Sequence, residues 1–378
     1  MRLYSIFSVI IFIVLPFIHS CGGGNAVSYG EEGDTVAMKY ARNITMVDYG
    51  DYTVATLRNP WDTAKILNTY ILAPMGIDED YLPEGTVVRI PLTSAVVYAA
   101  THNALISELG AAEAVTGVCD PQYIHDSIIV RRINEGFILD CGDNMSPNLE
   151  KIMQLSPGAV LLSPYEGNNG YGKLSQLGIP IVECADYMES SPLARAEWMK
   201  FFGRLVGRSA EADSLFAVTD SVYNELRTLG ASAAHRPRVM LDCMYGNVWN
   251  VPGAHSTMDR MIEDAGGKNI FGYIDKAGSA ALSPEQVLNE AHDADVWLIR
   301  YNQPSELTYS QLGSDNVLYK QFAPYKNGTV HGCNTGKADL YDVMPFHPQV
   351  ILADMISVLH PELELPEHNF NYFVPLLP

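Results

Sequence analysis

This chain lacks the usual signatures of catalysis. No GxSxG, HExxH, P-loop or GxGxxG pattern occurs, so the common hydrolase, metalloprotease and nucleotide chemistries have no foothold. Turnover needs a poised base or nucleophile with an orienting partner. Asp186 and Asp342 are loop carboxylates with no such partner nearby in sequence. The expectation is a binding protein, not an enzyme, with no resident cofactor. Cysteine is scarce, at 6 of 378 residues, and no two form a CxxC pair. That disfavours a zinc-ribbon or thioredoxin-like site. Basic charge is also short: 24 Lys and Arg against 44 Asp and Glu give a net charge of −20. No basic cluster appears, which excludes nucleic acid as a natural partner. The 10 histidines are scattered. His102, His255 and His331 fall near predicted loops, but isolated histidines are more often structural than ligating. No metal-ligand set is expected.

Only one apolar run has the character of a membrane-directed segment, and it is too short for a span of about 20 residues. Residues 1–20 read as a signal peptide, with Arg2 ahead of an apolar stretch over 6–18. Ile18-His19-Ser20-Cys21 resembles a bacterial lipobox, which makes Cys21 the lipidated N-terminus of the mature chain. Gly22-Gly23-Gly24-Asn25 then starts a flexible tether, taken as residues 21–43. The mature protein is expected to be exported and held at the periplasmic face of a bacterial membrane. Five cysteines remain after Cys21, so at least one stays unpaired, and Cys119–Cys141 is the one pairing considered.

What is present is alternation. Residues 44–88 read as a small β extension, with two strands flanking Gly50-Asp51 and two more over 65–72 and 86–90. Residues 89–207 and 236–362 each alternate short apolar strands with helical patterns, the signature of parallel sheets flanked by helices. Between them, Ser191-Pro192 opens one helix through about 206, and Ser209 caps a second that Gly230 closes. The expected architecture is α/β: two lobes joined by one long helix over 208–232, a small N-terminal β extension, and a tail over 363–378. In such sheets ligands meet the loops at strand C-terminal ends. Those loops carry Tyr123, Tyr165, Tyr171 and Tyr187 in the first lobe, a set that fits a large, partly apolar ligand. Trp249, Arg300, Tyr301 and Tyr341 fall where the second wall of a cleft should lie.

The first lobe contains THNALISELGAAEAVTGVCDPQYI, SPNLEKIMQLSPGAVLLSPY and KLSQLGIPIVE. The second contains GNVWNVPG, MIEDAGGKNIF, LSPEQVLNEAHDADVWLI, KNGTVHG and FHPQVILADMISVLHPEL. In this order, across about residues 88–362, they resemble the iron-complex and vitamin B12 class of periplasmic substrate-binding proteins of ATP-binding-cassette importers. The resemblance implies two lobes on a stiff helix, modest closure, a bulky metal chelate in the cleft and a membrane permease as partner. It assigns Tyr123, Tyr165 and Tyr187 to one wall and Trp249, Arg300, Tyr301 and Tyr341 to the other. Arg300 would pair with an acidic group of the ligand. Permease docking in the family uses a carboxylate on each lobe; here the expected first position falls near Asn168 with Glu166 beside it, and the second region offers Asp259 and Glu263. One arginine among many tyrosines tilts the ligand toward a corrinoid such as cobalamin over a ferric siderophore or haem. The protein is expected to work as a monomer. A zinc or manganese carrier and a chelatase-like enzyme are the alternatives.

Overall fold

The computed structural model describes residues 33–168, 170–365 and 372–378. The expected signal peptide and Cys21 lie outside the described residues.

The first lobe is built on five parallel strands in the order Ile181–Glu183, Ala159–Leu162, Ala95–Val97, Val115–Val118, Leu139–Asp140. Its central strands are short apolar runs because both faces are covered. The β extension is a five-stranded sheet: Asp34–Thr35, Ile44–Asp48, Thr53–Arg58, Ile66–Pro74 and Thr86–Ile90, antiparallel except for the last pair. It is no separate module. Met46, Leu57, Tyr70 and Val88 share one core with Val97, Leu161, Trp198 and Phe201.

The boundary of the tether needs correction. Residues 39–43 are fixed to the lobe by two glutamates from the segment that follows its last strand. Glu197, at 0% exposure, accepts the backbone N–H of Lys39 (2.7 Å), Tyr40 (2.7 Å) and Ala41 (2.9 Å). Glu189 accepts from Asn43 N–H at 2.9 Å and Trp198 Nε1 at 2.9 Å. An unpaired strand of backbone is thereby satisfied by carboxylates instead of a sheet.

The helix at 192–206 divides into Pro192–Glu197 and Met199–Leu205, and Ser191 caps it by accepting from Ala194 N–H at 3.2 Å. The connecting helix runs Ser209–Ala231, 23 residues or about 34 Å at 1.5 Å per residue. Ser209 is its first residue and not its cap, which is Arg208. Phe216 anchors it in the first core and Tyr223 and Leu226 in the second. Gly230 does not end it. A Cβ there would sit 2.7 Å from the Asp264 carbonyl, so glycine allows the helix to lie against lobe two.

The second lobe carries the order Lys268–Asn269, Arg238–Leu241, Val296–Tyr301, Val330–Asn334, Val374–Pro375, parallel except for the last strand. A capping box of Ser283 and Gln286 starts the helix Pro284–Ala291. The helix Pro348–Leu359 packs on the connecting helix. Residues 363–378 are not a simple tail. Tyr372 and Phe373 are buried, and their backbone N–H groups donate to Asp354 at 3.1 and 2.8 Å. Val374–Pro375 then extends the sheet. The expected Cys119–Cys141 bridge is absent: both are buried free thiols in the apolar cluster with Val96, Tyr98 and Ile152. Burial pushes the Cys141 thiol up to about 11, so it packs as a small apolar group.

Candidate functional site

The C-terminal ends of both sheets face a cleft between the lobes. A cavity of about 640 Å³ takes Gln122, Tyr123 and His125 from the first lobe and Asn302, Thr335 and Tyr341 from the second. A neighbouring cavity of about 560 Å³ lies wholly against lobe one, among Tyr98, Met145, Leu162, Tyr165, Tyr171 and Tyr187. A third of about 300 Å³ joins them. It shares Tyr187 with the second and Arg195 and Met344 with the first. The three are compartments of one cleft, and the larger two fall within the size range of small-molecule sites.

Five of the expected ligand-binding residues meet here, four tyrosines and Arg300. Tyr123, Tyr165 and Tyr341 are exposed by 60%, 52% and 52%. Tyr187 is oriented by its hydroxyl, which donates to the Pro164 carbonyl at 2.5 Å. Tyr171, also on this wall, donates to Glu183 at 2.7 Å. Arg300 lies on the floor of the third compartment, but its charge is already engaged: it grips Asp242 through both Nε, at 2.9 Å, and Nη2.

Two expected wall residues are displaced. Trp249 is 0% exposed, packed against Trp297 at a tilt and edge to face with Tyr319 and Phe322, with Nε1 donating to the Leu241 carbonyl at 2.9 Å. It is core, because its strand alternates and Trp249 falls on the inner face. Tyr301 lines an adjoining hollow with Cys243 and Leu312, which shares Arg300 with the third compartment, and its hydroxyl donates to Glu306 at 2.6 Å. The docking carboxylates also divide. Glu166 is exposed on the loop after Ala159–Leu162. Glu263 is held by Arg236 at 2.6 Å. Asp259 is buried in the first turn of its helix and accepts from Asn269 at 2.7 Å, so it is unavailable to a partner.

The most informative cleft residue absent from the expected set is Arg195. It sits in the first helix after lobe one and borders both the first and third compartments. Its Nε donates to Asp186 at 3.0 Å, and the other Asp186 oxygen meets buried His102 Nε2 at 2.8 Å. Burial alone would push the Asp186 pKa up; His102 and Arg195 outweigh it and hold the carboxyl below its usual range. Both cleft arginines are thus neutralised by their own aspartates. Opposite them, Asp342 is buried at the lobe interface and accepts from the His125 N–H at 3.4 Å. Burial pushes its carboxyl up to about 6, moderated by His125. His347 and Glu108 form a second contact between the lobes at 2.6 Å. The histidines expected nearest the cleft do not converge: His102 joins Asp186, His255 joins Asp275, and His331 lies in a strand.

The two-lobed α/β frame with its cleft at the strand ends is the fold of two-lobed binding proteins. The family model described as periplasmic binding protein matches residues 122–332, and the chain belongs to that family. Its members are substrate-binding proteins, not enzymes. Among relatives, the uncharacterized lipoprotein MJ0878 of Methanocaldococcus jannaschii is 28% identical over 360 residues, covering 88% of this chain and 84% of the relative. A periplasmic heme binding protein from Pseudomonas aeruginosa has the same fold at a TM-score of 0.60 and 14% identity, covering 76% of this chain and 99% of that one. An ABC-type Fe3+-hydroxamate transport system structure from Saccharomonospora viridis reaches 0.57 at 17% identity, covering 71% and 94%. No helix among the described residues is long and apolar enough to cross a membrane.

Proposed function

We propose that this protein captures a bulky metal chelate in the interlobe cleft and presents it to an ATP-binding-cassette permease. The chelate class is a corrinoid or iron complex, and the reading favours a corrinoid. One observation carries the preference: the cleft pairs a tyrosine-rich, partly apolar wall with arginines that its own aspartates already neutralise. A strongly anionic ferric siderophore would call for uncompensated cations. A large, nearly neutral guest with flat apolar edges suits tyrosine faces. The heme-binding and Fe3+-hydroxamate transport proteins among the fold relatives support the chelate class without choosing within it.

Delivery would use Glu166 on the lobe-one loop, with Glu263 the remaining lobe-two carboxylate of the expected pair. Lipidation at Cys21 would keep a monomeric carrier at the periplasmic face of a bacterial membrane. The relatives named as lipoproteins support that placement.

The test is calorimetric titration of the full chain with cobinamide, cobalamin, haemin and a ferric hydroxamate. Micromolar or tighter binding of a corrinoid is expected. Binding of haemin or the hydroxamate with no heat from either corrinoid would refute the corrinoid choice. Silence with all four would refute the chelate reading itself.

A further inference from the structure

On the face of lobe two away from the cleft, three potential metal ligands converge. His235 precedes the strand Arg238–Leu241, and His360 and Glu362 follow the helix Pro348–Leu359. The ligand atoms of the three side chains all lie within 4.8 Å of one another. His360 Nδ1 and Glu362 Oε1 are 3.4 Å apart. A tetrahedral zinc site with bonds of about 2.0–2.1 Å has ligand separations of about 3.3 Å, so that pair is already at coordination spacing. The two imidazoles stand 5.4 Å apart, edge to face.

The second observation is the state of His360. Its side chain is 0% exposed; Nε2 has no hydrogen-bond partner, and Nδ1 has only the long 3.4 Å contact with the Glu362 carboxylate, without hydrogen-bond geometry. An unsatisfied buried polar group of this kind costs about 1–3 kcal/mol. The ring is also held in place: a Cβ on Gly266 would sit 2.8 Å from its Nε2, so the backbone closes on that edge while Nδ1 faces Glu362. His235 and Glu362 are exposed and free to turn toward it. The nearby guanidinium of Arg236 is engaged by Glu263 at 2.6 Å.

We infer that His235, His360 and Glu362 form a binding site for a divalent zinc-class cation. Two neutral imidazoles and one carboxylate make a borderline donor set suited to such an ion, with solvent completing the tetrahedron. The site is structural. It joins the segment leaving the connecting helix to the end of the final helix, at the N-terminal side of the lobe-two strands. It is separate from the cleft and independent of the cargo proposed above.

The test uses the full chain, stripped with EDTA and titrated with Zn2+ alone. One equivalent should bind and raise the melting temperature. His235→Ala and Glu362→Gln change exposed side chains, so both should fold; each should weaken Zn2+ binding at least tenfold, and His235→Ala should abolish the thermal shift. Co2+ should give the visible spectrum of a tetrahedral nitrogen and oxygen site in wild type only. No stoichiometric binding, or a loss below tenfold in either variant, overturns the assignment.

Discussion

Replacing Glu197 should release the N-terminal segment from lobe one. One oxygen of this buried carboxylate accepts from Lys39 N–H and, at 3.4 Å, from Lys200 Nζ; the other accepts from Tyr40 and Ala41 N–H. Glu197→Gln keeps the shape and one acceptor. Its amide oxygen can serve Tyr40 and Ala41, but its NH2 then faces two donors, Lys39 N–H and the Lys200 ammonium. The loss should be about 2–3 kcal/mol, the scale of a hydrogen bond to a charged group plus an orphaned donor. Glu197→Ala removes the acceptor from all three backbone donors, while Lys200 keeps its bond to the Ala37 carbonyl at 2.9 Å. Lys39 and Tyr40 are only part-buried and can recover water, so the cost is about 3–5 kcal/mol and not three full bonds. Hydrogen exchange read by mass spectrometry is the direct assay. Protection of the 39–41 amides should drop by about two to three and a half orders of magnitude in the alanine variant, since each 1.4 kcal/mol is a factor of ten. Strand Val296–Tyr301 in the other lobe should be unchanged. Unaltered exchange at 39–41 in Glu197→Ala, or fast exchange there in wild type, would refute the reasoning.

The remaining predictions concern the cleft. Tyr165→Ala and Tyr341→Ala should each weaken the bound chelate about tenfold, from the loss of one aromatic face, with little change in melting temperature. Trp249→Ala should do the reverse, costing about 3–5 kcal/mol of stability through a core cavity; a large, selective loss of affinity there would place it on the ligand after all. Asp342 carries a folded pKa raised from 3.8 to about 6, so the folded state holds its proton longer than the unfolded chain. Its contribution to stability is present below about pH 4 and is lost as pH rises through about 6, a change of up to about 3 kcal/mol. Asp342→Asn should remove that decline, seen as a smaller fall in denaturant midpoint from pH 4 to 7 than in wild type; parallel profiles would count against it.

Much of this architecture is legible in the sequence for a simple reason. Strands such as Ala159–Leu162 are covered on both faces and read as unbroken apolar runs. Helix starts announce themselves at Ser191-Pro192 and Ser283-Pro284. The tyrosines on the loops after successive strands were therefore placed in the cleft by topology alone. The failures share a different cause: they depend on partners distant in sequence. Residues 39–43 read as a tether because their partners, Glu189 and Glu197, lie about 150 residues away. The segment after 363 has no periodicity, and its described residues are placed by distant partners, among them Asp354, Asp339 and the open sheet edge. Arg195 reads as one more helix-surface charge until the fold sets it between two compartments. Trp249 is the exception, since the alternation of its strand already pointed inward. Asp259 could likewise have been set aside, because Ser256 caps the helix whose first turn holds it.

The strand Val374–Pro375 has a bearing on biogenesis. Every strand of lobe one has been made by residue 183, whereas lobe two gains its edge only when residues 372–376 emerge. Domains tend to fold as units in the order of synthesis. The growing polypeptide therefore passes through a stage in which one finished half stands with its tyrosine-lined surface open to water and nothing facing it. A guest met at that moment finds a single wall, and retention has to wait until the rest of the chain has supplied the opposite one.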